Sequence, residues 1–339
     1  MTATSPSQQN PSLTAASAAA ARAASYLAAF RPRDVLPYVI LVALIVYFSF
    51  NASIFLSSAN GWNIVREGSI LLIVSLGATF VILQGGIDLS VGSTATLAGI
   101  CVAFLIASHG IGLWGFVVGT AVGAGVGAVV GALVAYVRVP SFLVTLGMLS
   151  VVAGIGNYMT FGTNKRILDN GFSGIVRGAD IFGVPNLFWW ALGTFLVAWG
   201  LERFTKFGRY TFAIGGGELV STMAGVPVLR YKFYAFVVCG ALAGLAGTML
   251  AARLGAAGPG LGANLMLQSI TAVAIGGTAL TGGVGGVKRT LLGVLVITVL
   301  SNGLILTQVS AFAQQIVTGL VLILAVTLSL DRRRLAIFK

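Results

Sequence analysis

Charge is scarce in this chain. Of its 339 residues only 8% are Asp, Glu, Lys or Arg, against roughly 25% in an average soluble domain. Carboxylates are scarcest, eight in all, and Asp88 is the only one between Glu67 and Asp169. Histidine occurs once, as His109 before Gly110, where a solvated loop residue is expected. The two cysteines, Cys101 and Cys239, fall inside apolar stretches and read as packed thiols, because two thiols alone make neither a disulfide framework nor a metal site. No metal ligand set and no resident cofactor are therefore expected. An intramembrane enzyme is excluded as well, for want of a nucleophile–base pair or ligating side chains. A nucleotide-binding loop is also missing. Gly282 to Thr290 has the glycines, but Val287 precedes Lys288 and Arg289 stands where Ser or Thr should follow. No nucleotide site is encoded in this stretch.

Apolar side chains are abundant instead, at 57% of the sequence. With about 20 apolar residues needed per crossing, the pattern predicts an all-α, polytopic membrane helix bundle of about ten transmembrane helices. The spans are expected at 35–56, 68–83, 89–107, 113–137, 141–161, 187–201, 233–252, 265–280, 290–304 and 311–330. Residues 1–33, rich in Ala, Ser, Thr and Gln, read as a disordered cytoplasmic tail. The transmembrane domain covers 34–331, its most charged loop being 202–232, and 332–339 form a basic tail. In the fourth span Gly115, Gly119, Gly123, Gly127 and Gly131 recur at every fourth residue, a stripe along which another helix backbone can pack closely.

The net charge of +12 does not point to nucleic acid, because the cations gather in short loops between apolar spans. With both termini inside, fifteen of the twenty Lys and Arg residues fall on the inner face, as the positive-inside rule requires.

Asp88 gives the chain its centre. It lies in Gln84-Gly85-Gly86-Ile87-Asp88-Leu89-Ser90-Val91-Gly92-Ser93, which interrupts the apolar tract from Ile70 to Ala107. A charge at the bilayer centre costs about 2.5–3.5 kcal/mol even on the gentler scales. Gly85 and Gly86 permit a tight reversal, and an Asp at the start of the following helix would accept its orphan N–H groups as an N-cap. Helix breaks at membrane depth survive only against protein or a water-filled cavity, so the segment reads as a polar re-entrant point.

The stretch Gly85–Ser93 resembles the signature of ribose/xylose-type monosaccharide permeases, the membrane subunits of ATP-binding-cassette (ABC) importers. Two later stretches are similar to the same family. One is the loop around Gly208-Arg209-Tyr210, Ala213-Ile214-Gly215-Gly216-Gly217-Glu218 and Met223-Ala224-Gly225-Val226. The other is Ala274 to Gly283 with Thr290-Leu291-Leu292-Gly293 and Asn302-Gly303-Leu304. The chain departs from the family at Gly217, where Asn is usual, and at Lys288 and Arg289, which are more often uncharged.

The resemblance implies a translocation pathway for a monosaccharide in a bacterial inner membrane. Expected partners are an ABC ATPase subunit, a periplasmic sugar-binding protein, a second permease copy (itself or a related chain) and membrane lipid. Gly215, Gly216, Glu218, Ala224 and Gly225 are the residues expected to couple to the ATPase, with Gly215–Gly217 as a flexible lead-in to a short helix. The 162–186 interval is the matching segment for the binding protein. Substrate-pathway candidates are Asp88, Ser90, Gln84 and Asn302; Thr145, Asn157 and Gln268 are further polar residues within spans. Two alternatives carry different expectations. A branched-chain amino-acid ABC permease usually lacks the Asp at the position of Asp88. An ion-coupled secondary transporter tends to place several carboxylates at midplane.

Overall fold

Helices dominate the computed structural model, which describes residues 32–179 and 181–329. They are α1 (Pro32–Asn51), α2 (Ser58–Leu83), α3 (Val91–His109), α4 (Trp114–Ala135), α5 (Ser141–Thr160), α6 (Asn170–Arg177), α7 (Asn186–Phe204), α8 (Lys206–Gly216), α9 (Glu218–Met223), α10 (Val228–Leu254), α11 (Ala263–Ile275), α12 (Val287–Leu306) and α13 (Ala311–Ser329). All but α6, α8 and α9 occupy the ten stretches predicted to span. The expectations for the two tails fall outside the described residues, except at Pro32 and Arg33, which open α1 instead of ending a tail.

Several boundaries differ from the hydropathy reading, for local reasons. The second span starts ten residues early, because the Ser57 side chain accepts from Asn60 N at 3.3 Å and opens α2 there. Arg66 and Glu67 thus lie inside a helix, and Glu67 meets Arg253 of α10 at 3.6 Å. The charged interval 202–232 is largely helical, as α8, α9 and the first turns of α10.

The core is built around α10, which packs against α2, α3 and α4. Four of the periodic glycines make the α4 contact possible. A Cβ on Gly123 would lie 2.8 Å from Gly244 Cα, one on Gly127 3.1 Å from Val237 Cα, and one on Gly131 2.8 Å from the Phe233 carbonyl oxygen. On Gly119 it would collide with the Thr248 hydroxyl. The two backbones therefore run in van der Waals contact, the geometry that small residues allow in membranes.

The two ends of the bundle are distinct. At one end Leu83, Gly215 and Gly283 meet; we call it the basic end, since Arg138, Arg209, Arg230 and Lys232 lie in the same connections. At the other, β1 (Lys165–Arg166) pairs antiparallel with β2 (Ala256–Ala257). Asp169 caps α6 by accepting from Phe172 N at 2.9 Å, and Arg177 Nε donates to the Arg253 carbonyl at 2.9 Å. The described part of the 162–186 interval is thus a folded cover over that end.

Two helices begin inside the bundle rather than at an end. Ala95, in the second turn of α3, packs against Gly247 of α10, twenty residues into that 27-residue helix. The first turn of α11 reaches the same level: Gly262 N donates to Thr96 Oγ1 at 2.9 Å, and a Cβ on Gly92 would sit 2.7 Å from the Gly262 carbonyl oxygen. The N-termini of α3 and α11 therefore meet at mid-depth and the helices diverge from there. Backbone breaks of this kind require protein or water around them.

Candidate functional site

The re-entrant segment joins these features. α2 ends in a Schellman turn: Gly85 takes φ +78°, Gly85 N donates to the Ile82 carbonyl at 2.8 Å, and Gly86 N to the Val81 carbonyl at 3.0 Å. A left-handed residue is needed there, and glycine adopts it without a Cβ penalty. The chain then turns inward to Asp88. The expected N-cap is not what forms. α3 begins at Val91, its N-cap is Ser90, and Asp88 stands two residues earlier. Asp88 Oδ1 accepts from Ser90 N at 2.8 Å and from Ser90 Oγ at 2.6 Å. This Asx-type turn competes with capping because a short side chain reaches the N–H two residues on more directly than the helix interior. The segment is tied to α5 by Ile87 N donating to Ser141 Oγ at 3.2 Å and Thr145 Oγ1 to the Ile87 carbonyl at 3.3 Å.

The four pathway candidates are not brought together around one opening. Asp88 (5% exposed) and Ser90 (1%) are spent on each other. Asn302 (5%) lies elsewhere, in a reciprocal amide clasp with Asn60: Asn60 Nδ2 donates to Asn302 Oδ1 at 3.0 Å and Asn302 Nδ2 to Asn60 Oδ1 at 2.9 Å. Only Gln84 borders open space. Its Nε2 donates to Thr211 Oγ1 at 3.2 Å and to the Tyr231 carbonyl at 3.0 Å, linking α2 to α8 and α10. A cavity of about 1180 Å³ opens there, lined among others by Gln84, Gly85, Gly86, Arg138, Ser141 and Lys232.

The glycines of the 202–232 stretch also differ from the expected flexible lead-in. Gly215 and Gly216 are the last residues of α8. A Cβ on Gly215 would run into the Leu83 carbonyl and Gly283 N, two groups already hydrogen-bonded to each other at 2.9 Å. Gly215 is therefore packed, not loose, whereas a Cβ on Gly216 would meet open space. Gly217, extended at φ 172°, leads into α9, whose Glu218 pairs with Lys232 at 2.6 Å. Gly225, at φ +78°, turns the chain toward α10 and lets Val226 N reach the Ser221 carbonyl. Ala224 ends α9 as its C-cap. Leu219, Val220 and Met223 of α9 are 69%, 71% and 79% exposed among the described residues, which makes an apolar face.

Sequence reasoning missed Glu202, at the end of α7. Its carboxylate accepts from Val287 N at 2.6 Å and so caps α12 across the bundle. Lys288 lies over the Trp199 ring at 4.9 Å. The signal was present: Glu202 stands directly before Arg203, with Lys206 and Arg209 following.

Residues 60–326 match the family described as branched-chain amino acid transport system / permease component. The chain belongs to this permease family. Among its curated relatives, the ribose import permease protein RbsC of Escherichia coli (strain K12) is 35% identical over 303 residues, 87% of this chain and 92% of the relative. RbsC of Bacillus subtilis (strain 168) is 38% identical over 307 residues, 88% and 93%. The L-arabinose ABC transporter permease protein AraH of Azospirillum brasilense is 33% identical over 298 residues, 87% of each. No solved structure matches. The permease is thus a multi-pass membrane protein, and the helical bundle, the re-entrant segment and the packed α8–α9 connection are parts of a transport component.

Proposed function

We propose that this permease is the membrane subunit of an ATP-driven importer for a monosaccharide of the pentose class, which a periplasmic binding protein delivers. The observation that carries the reading is near end-to-end similarity to permeases named for ribose and L-arabinose. The family description names branched-chain amino acids instead, so leucine is the competing cargo to test.

On this reading the basic end faces the cytoplasm, in keeping with the positive-inside rule. The exposed apolar face of α9 then serves the ATPase, since large exposed apolar residues mark interaction sites. Gly215, Gly216, Glu218, Ala224 and Gly225 shape that connection. Movement of α9 is passed through the Gly215–Leu83–Gly283 contact and through Gln84 to the re-entrant segment. Asp88 and Ser90 hold that segment's shape, and Gln84 borders the path. The folded cover over the opposite end receives the binding protein, and a second permease copy completes the pathway.

The test is uptake in proteoliposomes containing this permease with the ABC ATPase subunit and the periplasmic binding protein that this reading requires. ATP-dependent accumulation of ribose or arabinose is expected. Leucine accumulation without pentose uptake would assign the chain to the amino-acid branch, and sugar uptake driven by an ion gradient without the ATPase would overturn the importer reading.

A further inference from the structure

Most exposed faces of the spans suit lipid. On α4 the outward residues are Val117, Ala121, Gly125 and Val129, and on α7 they are Gly193, Leu196 and Val197. Their hydroxyl residues are internally satisfied: Thr120 Oγ1 donates to the Phe116 carbonyl at 2.7 Å and Thr194 Oγ1 to the Trp190 carbonyl at 2.8 Å.

The α5 helix breaks this pattern. It is as peripheral as α4, with 17% of its apolar stretch buried against 28% for α4 and 72% for α2 and α3, and differs in what it exposes. Beside the exposed Leu143, Leu146, Val151 and Ile155, its outward face carries Gly147, Ser150, Gly154, Asn157 and Tyr158. Among the described residues, neither Ser150 Oγ nor the Asn157 amide has a partner, and Ser150 does not return its hydroxyl to the preceding turn. Gly147 and Gly154 have open space where a side chain would stand. An unsatisfied amide facing hydrocarbon is costly, so polar residues within spans face protein or water.

The α11 helix repeats the feature. Asn264 and Gln268, one turn apart, are exposed and half-buried respectively, and neither has a partner among the described residues. Both helices flank the re-entrant segment, α5 through Ser141 and Thr145, α11 through Gly262 and Met266 beside Gly92. Gly156 of α5 packs near Ile100, well along α3. Asn157 thus stands toward the covered end, with Ser150 and Asn264 nearer mid-depth and Gln268 one turn further toward the basic end.

We propose that Ser150, Asn157, Asn264 and Gln268 line the translocation path and exchange hydrogen bonds with the hydroxyl groups of the passing sugar. The proposal rests on reading the chain as a sugar permease. Unpaired donors and acceptors set at successive depths provide serial, weak contacts, which suit passage rather than retention. They also give these four residues the role that buried Asp88, Ser90 and Asn302 are not free to play.

The experiment uses the whole transporter, with its ATPase and binding protein, in lipid nanodiscs. Single cysteines replace each of the four residues in a Cys101→Ala background, with Cys239 retained because it is fully buried. Val129→Cys on the apolar face of α4 is the control. A charged, water-soluble methanethiosulfonate should modify the four positions faster than Val129→Cys, and excess ribose with loaded binding protein should slow it. Asn157→Leu and Gln268→Leu break no internal bond, so folded yield should hold while uptake falls about three- to tenfold, the loss of one neutral hydrogen bond. Docking-stimulated ATP hydrolysis should persist, and Asn157→Ser should restore part of the uptake. Modification no faster than at Val129→Cys, with and without ATP, would overturn the proposal even if the wild type transports pentose. A wild type that moves no sugar would instead defeat the functional reading, while the labelling pattern would still report whether this wall is wet.

Discussion

Replacing Asn302 by Leu tests whether the Asn60–Asn302 clasp or a place on the substrate path explains that residue. The change removes both amide bonds, at 3.0 and 2.9 Å, and strands Asn60 Oδ1 in a site only 4% exposed. Interhelical hydrogen bonds in membranes average about 0.6 kcal/mol and reach about 1.7, so two of them contribute roughly 1–3 kcal/mol. The stranded acceptor adds its own desolvation cost, of order 1–3 kcal/mol, which places Asn302→Leu near the upper end. Asn60→Leu should cost more, because Asn60 Nδ2 also donates to the Phe55 carbonyl at 2.9 Å. The double variant should recover part of the loss, since no amide is then left unpaired; a coupling energy of about 0.5–3 kcal/mol is the signature of such a pair. Thermal unfolding of the purified permease in one detergent reads all three, and uptake per folded molecule should stay close to wild type. Unchanged unfolding of Asn302→Leu together with abolished uptake would refute the clasp and place Asn302 on the path.

Asp88→Asn keeps an acceptor for Ser90 N and Oγ and should fold and transport nearly as the wild type does. Asp88→Leu strands both donors, and folded yield in the membrane should drop by an amount set by about 1–3 kcal/mol. Gly215→Ala drives a methyl into the Leu83 carbonyl and Gly283 N; pull-down should still recover the ATPase while uptake is lost, and normal uptake would remove this contact from the coupling. Glu202→Gln retains an acceptor for Val287 N and should be mild, whereas Glu202→Leu uncaps α12 and should lower the unfolding midpoint by an amount set by about 0.5–2 kcal/mol. Reporter fusions at Gly171 and Gly217 should lie on opposite sides of the membrane, Gly217 with the cytoplasm, and a cytoplasmic signal at Gly171 would invert the assignment.

The spans were legible because hydropathy is a sum over twenty residues, and one misplaced side chain does not move it. Boundaries were not, because single contacts decide them. Ser57 lengthens α2 past Arg66 and Glu67, and in a window average those two charges look like a loop. The glycine stripe of α4 was readable as a packing surface from its spacing alone. That its partner is α10, whose Gly240 and Gly244 return the fit, depends on long-range topology that spacing does not contain.

The site shows the same division more sharply. Asp88 was conspicuous because a lone carboxylate in an apolar tract is rare, and rarity is visible in a sequence. Which N–H groups it meets depends on where α3 starts, and a start at Leu89 or at Val91 has the same hydropathy. Ser90 decides between them, because its N–H and hydroxyl converge on one carboxylate oxygen and leave the helix to begin after it. With Asp88 thus occupied, the polar residues free to meet a sugar are those with no partner of their own. Ser150, Asn157, Asn264 and Gln268 are ordinary in sequence, and a solvated or bridging role is the better expectation for any one of them. Only the fold shows that two lie on an exposed stripe of a span, that two lie on a helix starting at mid-depth, and that both helices flank the same re-entrant turn.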